Sequence, residues 1–253
     1  DLTNEEYRAT VLGLRRSAPA AAGATATFDA RSAPTPPDSF DARSLGIVNG
    51  VKNRTFSPPP FFLFPIIFYI IHNIISTYAY HESKFNIPSH AKPHKLCGFC
   101  LAEAACGSCW AFSAVAAMEG AYNLKNNGTV ASQCKGNTCG DDDKPCCSFS
   151  EQEIVDCTLN GADTCNKGGE MHDGYLEIVN NQGGKINTES QYPYTSGGGT
   201  SAGQCHAKPG NAVPTGITGY ANVTHGDETA LKAAAAQKGI ISIGIDASQM
   251  TFQ

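Results

Sequence analysis

Residues 105–114 read ACGSCWAFSA, and the reading of this stretch decides the fold. Cys106 and Cys109 stand three apart, which suits a dithiol redox pair, half of a metal site, or one half-cystine beside one nucleophile. Behind them, Trp110, Ala114, Ala117, Tyr122 and Leu124 recur at helical spacing, and the run stops at Gly128. That predicts a helix starting at about the second cysteine. A thiol in the first turn of a helix meets unpaired N–H groups and the positive end of the helix dipole, and both favour the thiolate. Gly107 and Ser108 allow close backbone approach, and Trp110, the only tryptophan in the chain, can shield the site.

Two rival chemistries fit poorly. Cys97 and Cys100 supply a second pair, and four thiolates suit tetrahedral zinc. Only residues 101–105 separate the pairs, however, against roughly 12 to 20 residues in two-knuckle zinc sites. A dithiol oxidoreductase expects a strand and a βαβ context just upstream, and FCLAEAA at 99–105 supplies neither.

The bulk properties narrow the class further. A chain of 253 residues with 41% hydrophobic residues can bury a real core. The net charge of -5 disfavours nucleic acid or an acidic membrane as the main partner. Eleven cysteines are too many for an ordinary reduced cytosolic enzyme and point to an oxidising compartment. The odd count leaves at least one thiol over within the chain. N-x-T triplets at Asn53, Asn127 and Asn222 fit a secreted or vesicular route.

Along the chain, Thr3 and Glu6 form a capping-box signal in residues 1–16, and residues 17–36, rich in Ala, Pro, Ser and Thr, read as a linker. Ordinary globular texture resumes at DSFDARSLGIVNGVKN (38–53) and breaks again over 54–105. The apolar tract there, Phe61 to Ile75, has 15 residues and is interrupted by Pro65 and His72. A spanning helix needs about 20 apolar residues, so a membrane anchor is disfavoured. Past Cys106, Ser150 and Glu153 form a second capping box. Met171, Tyr175 and Ile178 share a helix face that ends at Gly183 and Gly184, and GDETALKAAAAQKG (226–239) predicts another helix. The β-branched run IISIGID (240–246) predicts a strand. Helices first and strands later describe an α+β protein.

The string CGSCWAFSA resembles the active-site stretch of papain-like cysteine peptidases, the cathepsin family. Other blocks support the resemblance in order. DLTNEEYRATVLG resembles the tail of the family's inhibitory propeptide, and PDSFDARSLGIVNGVKN its mature N-terminal segment. SEQEIVDC, CNKGGEMHDGY (a CNGG loop with Lys167 inserted), ESQYPYT and ISIGIDAS then follow as expected. The resemblance implies a zymogen of two-domain, papain-like fold, with the helical left domain present and the strand-rich right domain truncated at the C-terminus. The peptidase domain would run over 37–253 and be interrupted by an insert at 54–105. That insert reads as a translated intron or annotation error, or else as a lineage-specific loop.

The resemblance also implies roles. Cys109 is the nucleophile, attacking a scissile carbonyl to form a thioester acyl-enzyme that water resolves. Cys106 pairs with Cys165, and Cys157 with Cys205. Gly168 and Gly169 offer backbone hydrogen bonds to an extended peptide. Met171 and Gly244 line a roomy apolar pocket for the second residue before the scissile bond, although Met171 also reads as plain helix core. No cofactor or metal is implied. The partners are peptide or protein substrates, with no nucleic acid and no membrane. The chain would be a monomer of a lysosome or acidic vesicle, or secreted.

The sequence departs from the family's pattern at three places. Glu103 stands where an oxyanion-hole glutamine belongs, and an ionised carboxylate cannot donate a hydrogen bond. The family's catalytic histidine and asparagine lie about 130 to 150 residues after the nucleophile, and are expected beyond Gln253; His206 and His225 read as surface residues. The propeptide's long inhibitory helices would precede Asp1. The 253-residue chain is therefore expected to be inactive by itself. The alternatives are a non-catalytic papain-fold binding or decoy protein, and a membrane-tethered variant. Cys134, Cys139, Cys146 and Cys147 read as a disulfide-held surface loop of open connectivity.

Overall fold

The computed structural model describes residues 26–49, 106–139, 144–158, 164–198 and 203–244. The propeptide signal at 1–16, the insert at 54–105 with its apolar tract, and Cys97 and Cys100 lie outside the described residues. Among those described, no helix is long and apolar enough to cross a membrane.

The predicted central helix is α1, Cys109–Asn126. It ends where the sequence supplies a residue tolerant of left-handed backbone. Asn127 caps it at φ 48° and donates its N–H to the Asn123 carbonyl, and Gly128 follows at φ 71°. Helix α2, Glu151–Cys157, opens with half of the expected capping box. Ser150 Oγ accepts from the Glu153 N–H at 2.9 Å. The reciprocal bond is not made. The Glu153 carboxylate instead accepts from the Asn187 N–H at 2.7 Å, and the Ser150 N–H goes to the Asn187 carbonyl. Tertiary partners have replaced the local one.

A single turn, α3 (Thr164–Lys167), takes up the extra Lys167 and closes at Gly168, whose φ of 65° favours glycine. Helix α4, Met171–Leu176, runs on through a π turn at Glu177–Asn181 and ends at Gly183 and Gly184, φ 62° and 73°. The predicted face is observed: Ile178 is fully buried, while Met171 and Tyr175 pack partly buried against the core. Helix α5, Glu228–Lys238, is capped by Asp227, whose carboxylate accepts from the Ala230 N–H at 2.8 Å.

Helix α1 packs against both α2 and α4. The core between them holds Trp110, Val115, Met118, Tyr122, Phe149, Ile154, Ile178, Ile186 and Val213. Strands are short and paired: β1 (Ala26–Thr27) runs parallel to β6 (Ala221–Asn222). Antiparallel pairs join β2 (Thr138–Cys139) to β3 (Lys144–Pro145) and β4 (Lys185–Ile186) to β5 (Val213–Pro214). The mixture is α+β, as the sequence predicts.

One expectation is corrected. Residues 240–244 of the predicted strand IISIGID carry no strand. They lie along α1 instead: Ile240 fills the space beside Gly120, and Ser242 Oγ donates to the Ser113 carbonyl at 2.8 Å. β propensity makes a strand only where a neighbouring backbone completes the ladder, and no described strand pairs with this segment.

Candidate active site

The site grows from the N-terminus of α1. Cys109 is its first residue, half-buried, and keeps a reduced thiol. The neighbouring Cys106 is bonded to Cys165, and both sulfurs are buried. The Gly107 N–H donates to the Cys165 carbonyl at 2.8 Å, so backbone and sulfur tie the approach to α1 onto the end of α3. Cys157 is bonded to Cys205, and Cys134 to Cys147. The last pairing is one that the sequence left open.

Gly168 and Gly169 follow directly. Gly169 is buried against the indole of Trp110, the residue after Cys109. A Cβ at position 169 would stand 2.6 Å from Trp110 Cε2, closer than any real contact. Glycine is therefore required by packing here, and its peptide is brought to the base of the nucleophile helix. Trp110 is itself buried, and its indole N–H has no hydrogen-bond acceptor among the described residues.

Glu170 caps α4 without a side-chain bond to it. Its carboxylate faces His172 Nδ1 at 3.0 Å, Asp173 Oδ1 lies 3.5 Å from His172 Nε2, and the imidazole stacks on Tyr220. His172 is thus engaged by two carboxylates and a phenol ring. Met171 packs on the core cluster, and Gly244 is half-buried at the end of the segment along α1. Nearby, Tyr175 O–H pairs with Ser242 Oγ, and burial pushes its phenol up to about 12.

Of the residues named from sequence, Cys106, Cys109, Cys165, Gly168 and Gly169 come together around one helix end. Cys157 and Cys205 do not belong to this cluster; their chain neighbours Asp156 and His206 line a separate concavity of about 420 Å³, together with Gln152, Tyr192, Ser196 and Gly203. Cys109 is not on its wall. The carboxylate on that wall is already satisfied, since Asp156 accepts from Gln152 Nε2, Tyr192 O–H and the Gly203 N–H at 2.7–2.8 Å. This is a structural knot, with His206 exposed on its rim. His225 is exposed as well. Among the described residues no group of acidic, His and Cys side chains could hold a metal ion.

Sequence reasoning missed one contact at the nucleophile. Ser108 Oγ lies 2.6 Å from the Tyr194 hydroxyl, and Ser108 is fully buried. The pair is 86 residues apart in sequence, and YPYT at 192–195 is the signal that could have located it.

A half-exposed thiol heading a core helix, with its neighbour cystine and two glycines locked beside it, defines a papain-like α+β protein. Residues 92–253 match the papain family cysteine protease profile, and the chain belongs to that family. The match begins inside the stretch that the sequence sets apart at 54–105. A cathepsin L-like peptidase of Aedes aegypti is 40% identical over 149 residues, covering 58% of this chain and 37% of that protein. Vignain of Ricinus communis is 38% identical over 148 residues, covering 58% and 34%. Cysteine proteinase 6 of Dictyostelium discoideum is 30% identical over 263 aligned residues, covering all of this chain and 41% of that protein. The chain thus spans roughly a third to two fifths of the curated relatives it matches. The solved procathepsin L2 proteinase of the Tenebrio molitor larval midgut shares the fold, with a TM-score of 0.56 and 23% identity over 94% of this chain and 54% of that one.

Proposed function

We propose that this chain carries the nucleophile-bearing part of a cysteine-type endopeptidase. The observation that carries the reading is Cys109, a reduced and accessible thiol at the first residue of α1. Every other cysteine whose side chain is described is in a disulfide. A thiol there lies at the positive end of a helix of 18 residues, where a developing negative charge is favoured.

In this reading the Cys109 sulfur adds to the scissile carbonyl, the C–N bond breaks, and the amine leaves with a proton as a thioester remains. Water then hydrolyses the thioester and restores the thiol. The Cys109 N–H serves as one oxyanion donor. Gly168 and Gly169, beside the base of the nucleophile helix, present backbone to an extended substrate, as the resemblance to the family implies. Met171 and Gly244 border an apolar pocket for the second residue before the scissile bond. Peptide or protein substrates, an oxidising and acidic vesicle or secretion, and no cofactor complete the reading.

In this reading no described histidine serves Cys109 as general base, and the sequence offers no match to the family's orienting asparagine or oxyanion glutamine. His172 is engaged by Glu170 and Asp173, and Glu103 cannot donate when ionised. The expectation is that the isolated polypeptide does not turn over. The test uses the purified 253-residue chain, a fluorogenic peptide with Leu or Phe at the second position, and a peptidyl thiol-reactive probe. Expected are no hydrolysis and labelling at Cys109, abolished by Cys109→Ser. Turnover overturns the inactivity, and absence of labelling in the folded chain overturns the nucleophile.

A further inference from the structure

Serine is among the preferred N-cap residues because its hydroxyl accepts from the N–H of the second or third helical residue. Ser108 occupies the N-cap of α1, yet its side chain makes no such bond. Its backbone carbonyl alone meets the first turn, taking the N–H groups of Ala111 at 2.9 Å and Phe112 at 3.2 Å. The residue also sits at φ -102°, ψ 10°, away from the extended region that N-caps usually adopt. The hydroxyl is turned to Tyr194 instead, 2.6 Å away in a fully buried position.

Tyr194 is held firmly enough to do this. Its ring meets Phe112 edge to face at 5.0 Å, so it touches the first turn of α1 twice. Its N–H donates to Glu189 Oε1 at 2.8 Å. The flanking backbone is tied to α2, with the Tyr192 carbonyl accepting from Ser150 Oγ and the Thr195 and Ser196 N–H groups donating to Gln152 Oε1.

We propose that Tyr194 is a positioning residue for Cys109: it keeps the Ser108 hydroxyl off the first turn of α1 and leaves the helix N-terminal field to the Cys109 thiolate. A capping hydroxyl would accept a first-turn N–H and cancel part of the partial positive charge that the sulfur otherwise meets. The inference rests on the reading of Cys109 as the reactive thiol.

The experiment measures the alkylation rate of Cys109 by iodoacetamide against pH in the folded 253-residue chain, followed at that residue by peptide mass mapping. Wild-type chain is expected to titrate with an acid-shifted midpoint. Tyr194→Phe keeps the ring on Phe112, removes the hydroxyl and frees Ser108. Its reactivity on the acid side of the midpoint should fall about two- to fivefold, the size of a first-turn charge effect, with the plateau rate at high pH retained. A purely structural role would lower the melting temperature and leave the midpoint in place. Ser108→Ala has no hydroxyl to divert, so it should not raise the midpoint, and adding Tyr194→Phe to it should shift nothing further. An unmoved midpoint in Tyr194→Phe, or an equal shift in the Ser108→Ala background, overturns the proposal. So does a raised midpoint in Ser108→Ala, which tests the idea even if the tyrosine variant fails to fold. An ordinary thiol profile in wild-type chain would instead sink the reading of Cys109 itself, and this inference with it.

Discussion

Two regions that adjoin α1 are held together by different means. Around the helix N-terminus the work is done by shape and sulfur: a buried cystine, a buried indole and a glycine with no room for a methyl group. Around α2 many of the buried side chains are polar: beside Ile154 and Val155, Glu151, Gln152, Glu153 and Asp156 are all almost inaccessible to solvent. There the fold is held by hydrogen bonds that reach 34 to 47 residues along the chain, to Asn187, Tyr192, Thr195 and Gly203. The difference teaches that the nucleophile's surroundings are fixed mainly by shape, whereas the neighbouring scaffold is fixed by buried polar groups, one of which, Glu153, holds its proton more tightly than usual.

Removing the sulfur bridge should break the first region most severely. The Cys106–Cys165 bond closes a loop with a sequence separation of 59, and a loop of that size restricts the unfolded chain by about 4 kcal/mol in the chain-entropy account. Cys106→Ser with Cys165→Ser should lower unfolding stability by that order in guanidinium titrations. A loss no larger than that of an ordinary surface exchange would show that backbone and indole packing suffice.

The second region should announce itself through pH. Burial, with the nearby Glu177 carboxylate adding to it, pushes Glu153 up to about 7 from 4.5, even though the Asn187 N–H pulls the other way. Unfolded chain releases this proton near pH 4.5 while folded chain holds it to about pH 7. The contribution is therefore greatest below pH 4.5, declines between 4.5 and 7, and is flat above. The difference is on the order of 3 kcal/mol. Glu153→Gln should flatten this part of the stability profile when unfolding is followed from pH 4.5 to 8. A wild-type profile without the decline would show that folding does not raise the proton affinity of Glu153.

The smallest effect compares two glycines. Gly169→Ala should cost about 2 kcal/mol, because a Cβ 2.6 Å from a buried ring forces the indole or the backbone to move. In Gly203 the same Cβ would meet Asp156 Oδ2 at 3.4 Å, an ordinary contact, and Gly203→Ala should change stability by less than about 0.5 kcal/mol. Equal losses in thermal melts would erase the distinction between the two regions.

Much of the first region is readable in the sequence because its determinants are local. The helix at 109–126, its stop near Gly128, and the face carrying Met171, Tyr175 and Ile178 follow from spacing alone. The Ser150–Glu153 box is only half right, since Asn187, distant in sequence, competes successfully for the Glu153 carboxylate. The strand expected at 240–246 is absent over 240–244 because β-branched residues record a preference for extension, and the ladder requires a partner that no described segment provides.

By itself, then, the sequence determined the family and the helix that bears Cys109, because these rest on residue type and short-range spacing. Tertiary structure alone decided the Cys134–Cys147 pairing, the collision that makes Gly169 obligatory, the raised proton affinity of Glu153 and the hold of Tyr194 on Ser108. Each of these depends on atoms brought together across the fold, where distance and burial, and not order along the chain, set the energy.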